Sequence, residues 1–303
     1  MNPNRPLAAL LVIATATLGI LAAVVVRYVR AGIPSGGRLP QFLTWRYIVL
    51  PGIADLPIHL VSYLALCLLL TGLARGLWAA VGRARRTRRF LARCRAARAE
   101  PPAALGQLAA RLTLGECLDV IAAPDPLAFC HGLLRPRVCV TTGLLGLLDR
   151  EELEAVLLHE AHHAHRRDPL RRCVADCLAT MVFFLPLVAM LRDHHAVASE
   201  VSADQRALER MCQGRSLAAA LCKLLAYGGE VPSTILVGAS GSLVVRVDRL
   251  LGQPISPREF FPTWGLVWTA VGLGVLIALL VVPLSLFAGD LLHFHGHAFP
   301  RFR

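Results

Sequence analysis

The chain has 303 residues, 55% of them hydrophobic, and 32 Lys and Arg against 20 Asp and Glu give a formal net charge of +12. A mean hydropathy of +0.57 excludes an ordinary soluble enzyme of this size. Eight arginines between positions 83 and 98 follow directly on an apolar run. This placement is typical of a membrane protein, so no direct nucleic-acid binding is expected. Nine cysteines without a disulfide framework indicate reduced thiols.

Two apolar runs of spanning length, residues 7–29 and 56–81, open the chain. The first has no A-x-A site that would end a signal peptide, which is the alternative for this run. The arginines after the second run favour the cytoplasmic side, which also puts the amino terminus inside. We therefore predict a membrane region with two transmembrane helices at 1–82. A basic cytoplasmic linker at 83–99 follows, and it could also bind anionic lipid headgroups.

A short predicted helix at 103–114 precedes three apolar segments separated by turns, at 119–123, 127–131 and 137–141. They predict a small β-sheet packed against the helix that follows. The second segment is a candidate edge strand that would bind an extended substrate by strand addition. An edge covered by a loop is the alternative. The candidate residues are Ala128, Phe129, Cys130 and His131.

The stretch EELEAVLLHEAHHAH, from Glu151 to His165, is predicted to form the central helix of the chain. Asp149 and Glu152 have the spacing of a capping box at its start. Pro169 is expected to end it.

Within this helix His159, Glu160 and His163 form the motif H-E-x-x-H. Residues four apart share a helix face, so the two histidines can bind one zinc ion. Glu160 would lie beside the metal, where it can accept a proton from a zinc-bound water. A solvated, histidine-rich helix end is the alternative. His162 could bind the metal in another rotamer, but we expect it and His165 to be exposed.

A catalytic zinc ion takes a third protein ligand and keeps a fourth position open. The helix predicted at 196–212 carries Glu200 and Asp204 in the sequence E-V-S-A-D. Glu200 can complete a site for one zinc ion per chain, and Asp204 can hydrogen-bond the far nitrogen of a ligating histidine. H-E-x-x-H followed by E-x-x-x-D is the pattern of glutamate-ligand zinc peptidases. A surface helix with two ordinary carboxylates is the alternative.

The apolar run 173–191 is long enough to cross a membrane. His163 and Glu200 must nevertheless meet at one ion, and the 36 residues between them are too few for two full spans with turns. We therefore predict a re-entrant or interfacial helical excursion, bent near Pro186. A buried core helix is the alternative.

Four residues are candidates for stabilising an oxyanion or contacting substrate, and the sequence does not choose among them. Structural hydrogen bonding is the alternative for each. They are His194, His195, Tyr227 and Arg246. Asp168 and Arg167 are expected to pin the end of the central helix.

Four segments together carry a resemblance to a known family. They are LAFCHGLLRPRVCVTTGLL at 127–145, VLLHEAHHAHRRD at 156–168, the glutamate helix, and RVDRLL at 246–251. Over about residues 100–252 the chain resembles the membrane metallopeptidase family of the bacterial β-lactam-sensing signal transducers. More distantly it resembles the CAAX-processing and heat-shock membrane proteases.

The resemblance implies that His159, His163 and Glu200 bind zinc and that Glu160 is the general base. It also implies regulated proteolysis in signalling, by self-cleavage or by cleavage of a cytoplasmic repressor. The β-lactam sensors carry an external penicillin-binding domain after their last span. Here a last span predicted at 264–287 is followed by a short tail, 288–303, without an S-x-x-K motif, so antibiotic sensing is not expected.

We therefore predict a mainly α, multi-pass protein of the cytoplasmic membrane. Its α+β zincin-like domain, at 100–252, would face the cytoplasm and act on protein or peptide substrates. A membrane-protein quality-control protease and a non-catalytic signalling scaffold that keeps its zinc are the alternatives.

Overall fold

The computed structural model describes residues 2–31, 56–211, 215–227 and 262–277. The chain is mainly helical with one small mixed sheet, as predicted. The helices are α1 (Asn4–Ala31), α2 (Leu56–Ala96), α3 (Ala103–Arg111), α4 (Thr142–Leu147), α5 (Arg150–Arg166), α6 (Asp168–Met181), α7 (Pro186–Met211), α8 (Arg215–Ala226) and α9 (Thr263–Ile277). The strands are β1 (Arg98–Ala99), β2 (Leu118–Ile121), β3 (Ala128–His131) and β4 (Arg137–Thr141).

Two helices are long and apolar enough to cross a membrane, over Asn4–Val26 and Tyr63–Ala96. The apolar 18-residue stretches of these helices have mean hydropathies of 2.7 and 1.9, yet only 28% and 17% of each stretch is buried inside the protein. A core helix of a soluble protein would bury most of its apolar surface, so this exposure favours contact with lipid. The predicted last span is described only as far as Ile277. The tail lies outside the described residues.

The helix α2 continues through the arginine-rich stretch to Ala96. The helix therefore extends beyond the predicted end of the span at Val81, and most of the predicted linker is helical. The bounds of the membrane span itself stay a prediction. The physical reason is that arginine is a good helix former, and the single Gly82 does not outweigh the arginines and alanines around it.

The sheet has the strand order β1-β2-β4-β3. β2 pairs with β4 in parallel, with Val120 opposite Val140, and the other two pairs are antiparallel. The three predicted segments correspond to β2, β3 and β4. Among the described residues β3 pairs with β4 alone, so it lies at an edge of the sheet, as the sequence predicted.

One apolar core joins the sheet to α3, α5 and α8. Each fully buried valine or leucine there contributes roughly 1.5–3 kcal/mol to folding, so the core holds α5 firmly against the sheet. Its most deeply buried members are Val138, Val140, Leu144, Leu157 and Ala220.

The capping box at the start of α5 is present as predicted. Asp149 Oδ1 accepts a hydrogen bond from the backbone N–H of Glu152 at 2.9 Å, and Glu152 Oε2 accepts one from the backbone N–H of Asp149 at 2.9 Å. Lys223 of α8 lies 2.6 Å from the same Oε2. At the other end, Arg167 turns the chain with a φ of 55°. Pro169 lies in the first turn of α6, where a missing N–H is tolerated, so it does not itself end α5.

The apolar run 173–191 forms the end of α6 and the beginning of α7, which starts at Pro186. The bend therefore lies where it was predicted, and the location of this segment in a membrane stays a prediction. The predicted start of the glutamate helix, at 196, was wrong by ten residues, because no helix-breaking residue separates Pro186 from Ala196.

The chain divides into two compact units. The catalytic unit contains Met1–Leu10, Trp78–Cys177 and Ala189–Phe261, and the apolar unit contains Leu11–Leu77, Leu178–Val188 and Pro262–Arg303. The described residues of the apolar unit include no Asp or Glu. Within this unit Gly72 and Gly76 pack so closely on Met181 that a Cβ at either position would lie 2.3 Å from an atom of Met181.

Candidate metal centre

Three side chains from α5 and α7 converge inside the catalytic unit. His159 Nε2 lies 3.1 Å from His163 Nε2 and 3.4 Å from Glu200 Oε2. His163 Nε2 lies 3.5 Å from Glu200 Oε1. Both histidines are buried and Glu200 is largely buried. The two predicted histidines and the predicted glutamate therefore meet at one point, as a single-ion site requires.

A carboxylate holds the outer nitrogen of each histidine. His159 Nδ1 lies 2.9 Å from Asp204 Oδ1, and His163 Nδ1 lies 2.8 Å from Asp168 Oδ2. Because an ionised carboxylate only accepts hydrogen bonds, His163 Nδ1 donates to Asp168. The contact of His159 Nδ1 with Asp204 is a close ion-pair contact. A neutral ring with its proton on Nδ1 keeps its lone pair on Nε2. Two such lone pairs 3.1 Å apart repel each other unless a cation lies between them.

The geometry fits a zinc ion. Tetrahedral zinc with bonds of about 2.0–2.2 Å has ligand atoms about 3.3–3.6 Å apart. The observed separations of 3.1, 3.4 and 3.5 Å lie close to this range. Two imidazoles and one carboxylate are also a donor set that catalytic zinc sites use. His159, His163 and Glu200 could therefore hold a metal ion.

The electrostatics of the site also favour a cation. Burial opposes protonation of His163, but the charges of Glu200 and Asp168 outweigh it and raise the pKa of His163 to about 9. Burial likewise opposes ionisation of Glu200, yet Arg172 and His163 outweigh it and hold the pKa of Glu200 well below its usual value. The site thus keeps a buried negative charge that attracts positive charge, whether a proton or a metal ion.

Asp168 has a larger part in the site than predicted. Besides holding His163, it accepts a hydrogen bond from Ser199 Oγ at 2.6 Å and lies 3.5 Å from Arg166 Nε. Its expected role of pinning the helix end is compatible with these contacts. Its position five residues after His163, beyond the left-handed turn at Arg167, lets it fold back onto the ring.

Sequence reasoning missed Arg172. Nη2 of its guanidinium donates a hydrogen bond to Oε1 of Glu200. The available signal was the spacing of Asp168, Arg172 and Asp176, which lie four apart and therefore along one face of α6.

Glu160 follows His159 on α5 and is partly buried. Burial raises the pKa of the Cys130 thiol on β3 well above its usual value, and the negative charge of Glu160 raises it further. The helix α5, which carries Glu160, packs against β3.

The other residues of the edge strand have different surroundings. Phe129 is buried against Phe90, with ring centroids 5.3 Å apart, and so serves the core. His131 Nε2 lies 3.9 Å from Asp119 Oδ2. Ala128 packs against the core that includes α5.

The structure describes the surroundings of His195 and Tyr227, two of the four oxyanion candidates. His195 is buried and its Nδ1 donates to the Pro3 carbonyl at 2.9 Å. Tyr227 is 48% exposed after the end of α8. Among the described residues neither is hydrogen-bonded to the converging side chains. His194 is partly buried on α7, and Arg246 lies outside the described residues, so these roles stay predictions.

The extra histidines of α5 differ from each other. His165 is exposed, as expected. The expectation that His162 is exposed was wrong, because its ring is partly buried beside α7 and its Nε2 lies 3.1 Å from Ser202 Oγ. Burial lowers the pKa of His162 to about 4.

A second group, formed by Asp119, His131 and Cys139, also has ligand atoms within 4.8 Å of one another. Arg137 donates to both oxygens of Asp119, at 2.6 and 2.8 Å, and Arg98 lies 2.6 Å from one of them. Two guanidinium groups already neutralise this carboxylate and would repel a metal ion. We therefore interpret the group as an ion-pair cluster.

Comparison with known proteins points to the same part of the chain. The sequence model of Peptidase family M48 matches residues 105–226, which include all the converging side chains. A protease HtpX homolog of Caldanaerobacter subterraneus subsp. tengcongensis is 40% identical over 68 residues, 22% of this chain and 23% of that protein. The homolog of Thermoanaerobacter pseudethanolicus is 46% identical over 68 residues, 22% and 23% of the two chains. That of Lactobacillus helveticus is 37% identical over 89 residues, 29% and 30% of the two chains.

The chain thus spans about a quarter of the length of the curated relatives it matches. These similarities support a membrane metallopeptidase, which is the broader part of the resemblance seen in the sequence. They do not support the narrower branch of β-lactam sensors, which stays a prediction. Within residues 105–226 the chain is similar to peptidases of family M48.

Proposed function

We propose that this protein is a membrane-bound zinc metalloendopeptidase. The observation that carries the proposal is the convergence of His159, His163 and Glu200, each histidine held at its outer nitrogen by a carboxylate. Such a carboxylate fixes the ring and its tautomer, and it is a regular companion of metal-binding histidines. The similarity of residues 105–226 to family M48 supports the same activity.

Each residue of the site would have its own role in catalysis. His159, His163 and Glu200 would hold the zinc ion, which when bound supplies a Lewis acid that polarises a peptide carbonyl and acidifies water. Glu160 would accept a proton from the attacking water and pass it to the leaving amine. The C–N bond of the peptide breaks, and a carboxylate and a free amino terminus form.

Substrate would align beside the metal centre along β3. Its backbone could pair with the edge of β3 that has no partner strand in the described part of the chain, and so place an extended peptide beside α5. The packing of α5, the helix that carries Glu160, against β3 supports this placement.

The catalytic unit would face the cytoplasm from a multi-pass membrane anchor. Two observations support the anchor: the exposed apolar helices Asn4–Val26 and Tyr63–Ala96, and the arginines in the last part of the second of them. The placement of positive charge favours the cytoplasmic side for these arginines.

The purified full-length chain in detergent tests the peptidase activity. Wild type should cleave an unfolded reporter protein, lose this activity with a zinc chelator and regain it with added zinc. Glu160→Gln should lower the cleavage rate by about 10²–10⁴-fold, as expected for loss of a general base, while keeping its zinc content. Glu154→Gln, the same change on the same helix, is the matched control and should cleave normally.

The same assay separates the peptidase from a non-catalytic scaffold. A scaffold would bind zinc without cleaving any reporter, and Glu160→Gln would leave its cellular function intact. Cleavage by Glu160→Gln at the wild-type rate would contradict the proposed role of this residue. The biological substrate is a separate question. It could be a single repressor, the chain itself or damaged membrane proteins. The number of different proteins cleaved in cells distinguishes these cases.

A further inference from the structure

The side chain of Arg172 is a largely buried cation that contacts a candidate metal ligand. Its guanidinium donates to Oε1 of Glu200, and its side chain is 29% exposed. Partial removal of a charged group from water is unfavourable unless a precise contact compensates for it. The buried position of the Arg172 side chain therefore requires an explanation, because the proposed catalytic scheme gives this residue no role.

The helix α6 holds Arg172 at a fixed place. Asp168, one turn before it, contacts His163, and Asp176, one turn after it, lies 3.8 Å from both Arg83 and Arg192. Ion pairs on both sides of Arg172 thus attach α6 to its neighbours. The guanidinium is presented to Glu200 from a rigid support.

The contact also determines how Glu200 faces the histidines. A glutamate has three rotatable bonds, and its carboxylate must be held in one orientation before it can complete a site with two fixed rings. Oε1, which accepts from Arg172, lies 3.5 Å from His163 Nε2, while Oε2 lies 3.4 Å from His159 Nε2. The guanidinium therefore fixes the plane in which both oxygens point toward the imidazoles.

We propose that Arg172 is a positioning residue that holds Glu200 in the orientation needed to bind the metal. The inference rests on the proposed function, because it assumes that Glu200 is a ligand. An opposite role is physically possible: a cation next to a divalent metal ion repels it and would weaken binding. The two roles predict changes of opposite sign when Arg172 is replaced, so metal affinity decides between them.

The test measures zinc affinity by competition with a chelator, using the full-length chain in detergent. Arg172→Gln should weaken zinc binding by roughly 10–100-fold, the usual effect of losing a residue that orients a metal ligand. Arg172→Lys keeps one charged donor without the planar fork, so its affinity should lie between those of Gln and wild type. The absorption spectrum of bound Co²⁺ should also change in Arg172→Gln, because the ligand geometry is altered.

Arg171→Gln is the matched control. This arginine is the neighbour of Arg172 on α6, but its Nη1 donates to Asn4 Oδ1 at 3.0 Å and not to a candidate metal ligand. Zinc affinity and the Co²⁺ spectrum should be unchanged in this variant. Thermal unfolding of each variant shows whether it is folded, and if Arg172→Gln is not, Arg172→Lys carries the test.

The outcomes separate this inference from the proposed function. If wild type binds zinc and Arg172→Gln binds it equally well or more tightly, the positioning role is wrong while the metal centre stands. If wild type binds no zinc, the metal centre and the positioning role are both wrong. Weaker zinc binding in Arg172→Gln with unchanged binding in Arg171→Gln would support both.

Discussion

At the scale of single residues, the carboxylates behind the histidines determine how well the site can bind a metal. Asp204 fixes His159 through a 2.9 Å contact to Nδ1. We expect Asp204→Ala to weaken zinc binding by roughly 10–100-fold, because the ring loses its orientation and its tautomer is no longer set. Chelator competition on the purified chain measures this change.

Asp193→Ala is a suitable control for that experiment. Asp193 lies on the same helix, α7, but its side chain is 62% exposed and pairs with Arg192. Equal zinc affinities for Asp204→Ala and Asp193→Ala would show that Asp204 does not support His159.

The ion pairs of Asp119 predict a pH dependence of stability. The hydrogen bond from Arg137, together with the charges of Arg137 and Arg98, holds the pKa of Asp119 below its usual value. A carboxyl group with a lowered folded-state pKa stabilises the fold above its unfolded pKa of about 3.9 and loses this effect as the pH falls through its folded pKa. The stability gap between wild type and Asp119→Asn should therefore be constant from pH 7 to about pH 5 and narrow below about pH 4.

Thermal unfolding of both proteins across this pH range checks the prediction. Asp125→Asn changes an exposed aspartate, so this variant should unfold at nearly the same temperature as wild type at every pH. If the stability difference between wild type and Asp119→Asn grew as the pH falls, the ion pairs of Asp119 would not have the predicted effect.

Sequence spacing predicted the central residues of the site and the supporting Asp204, but not Arg172 or the contact of Asp168 with His163. The spacing of His159, Glu160 and His163 on one predicted helix indicated their roles. The spacing of Glu200 and Asp204 on a second predicted helix did the same. Arg172 was missed because its partner lies 28 residues away. Spacing within α6 reveals a charged face, and only tertiary packing reveals what that face contacts.

At the scale of secondary-structure elements, the start of α5 depends on its capping box. Asp149→Ala removes the acceptor for the N–H of Glu152 and should lower the free energy of unfolding by about 1 kcal/mol. Asp149→Ser keeps a capping oxygen and should restore most of this stability. Thermal unfolding of the two variants measures the difference, and equal loss in both would show that the cap does not matter.

Local signals predicted elements well where a cap or flanking turns mark them, as for α5, β3 and β4. They were less precise where a boundary rested on charge or composition. The arginines after Val81 were taken as the end of a membrane span, and the helix itself continues through them to Ala96. The strand β1 was missed because two residues carry no periodicity.

At the scale of the whole molecule, the amino terminus belongs to the catalytic unit. Asn4 Oδ1 accepts hydrogen bonds from Arg166 at 2.8 Å and Arg171 at 3.0 Å, and the Pro3 carbonyl accepts one from His195. These partners lie at the end of α5 and on α6 and α7, and they belong to the same unit as the amino terminus. We therefore predict that the amino terminus and the catalytic unit lie on the same side of the membrane.

Protease protection in sealed vesicles of known orientation tests this topology. A tag at the amino terminus and the catalytic unit should be cleaved together in one orientation and protected together in the other. Cleavage of the tag in vesicles that protect the catalytic unit would contradict the topology.

The sequence alone did not predict how the chain divides. The segment Leu178–Val188 belongs to the unit of the apolar helices, whereas His163 and Glu200, on either side of it in sequence, belong to the other unit. This grouping depends on contacts between distant segments. Hydropathy identified the run as apolar, and the requirement that His163 and Glu200 meet excluded a simple crossing. The packing partners of the run could be seen only in three dimensions.

The central claim is that Glu160 supports peptide-bond hydrolysis, and a map of new protein amino termini in cells tests it most directly. The map compares wild type, Glu160→Gln and the control Glu154→Gln at matched expression. We predict amino termini that are present in wild type and in Glu154→Gln and absent in Glu160→Gln. One or two such termini would indicate regulated proteolysis, and many from membrane proteins would indicate quality control. Identical maps for wild type and Glu160→Gln would contradict the account.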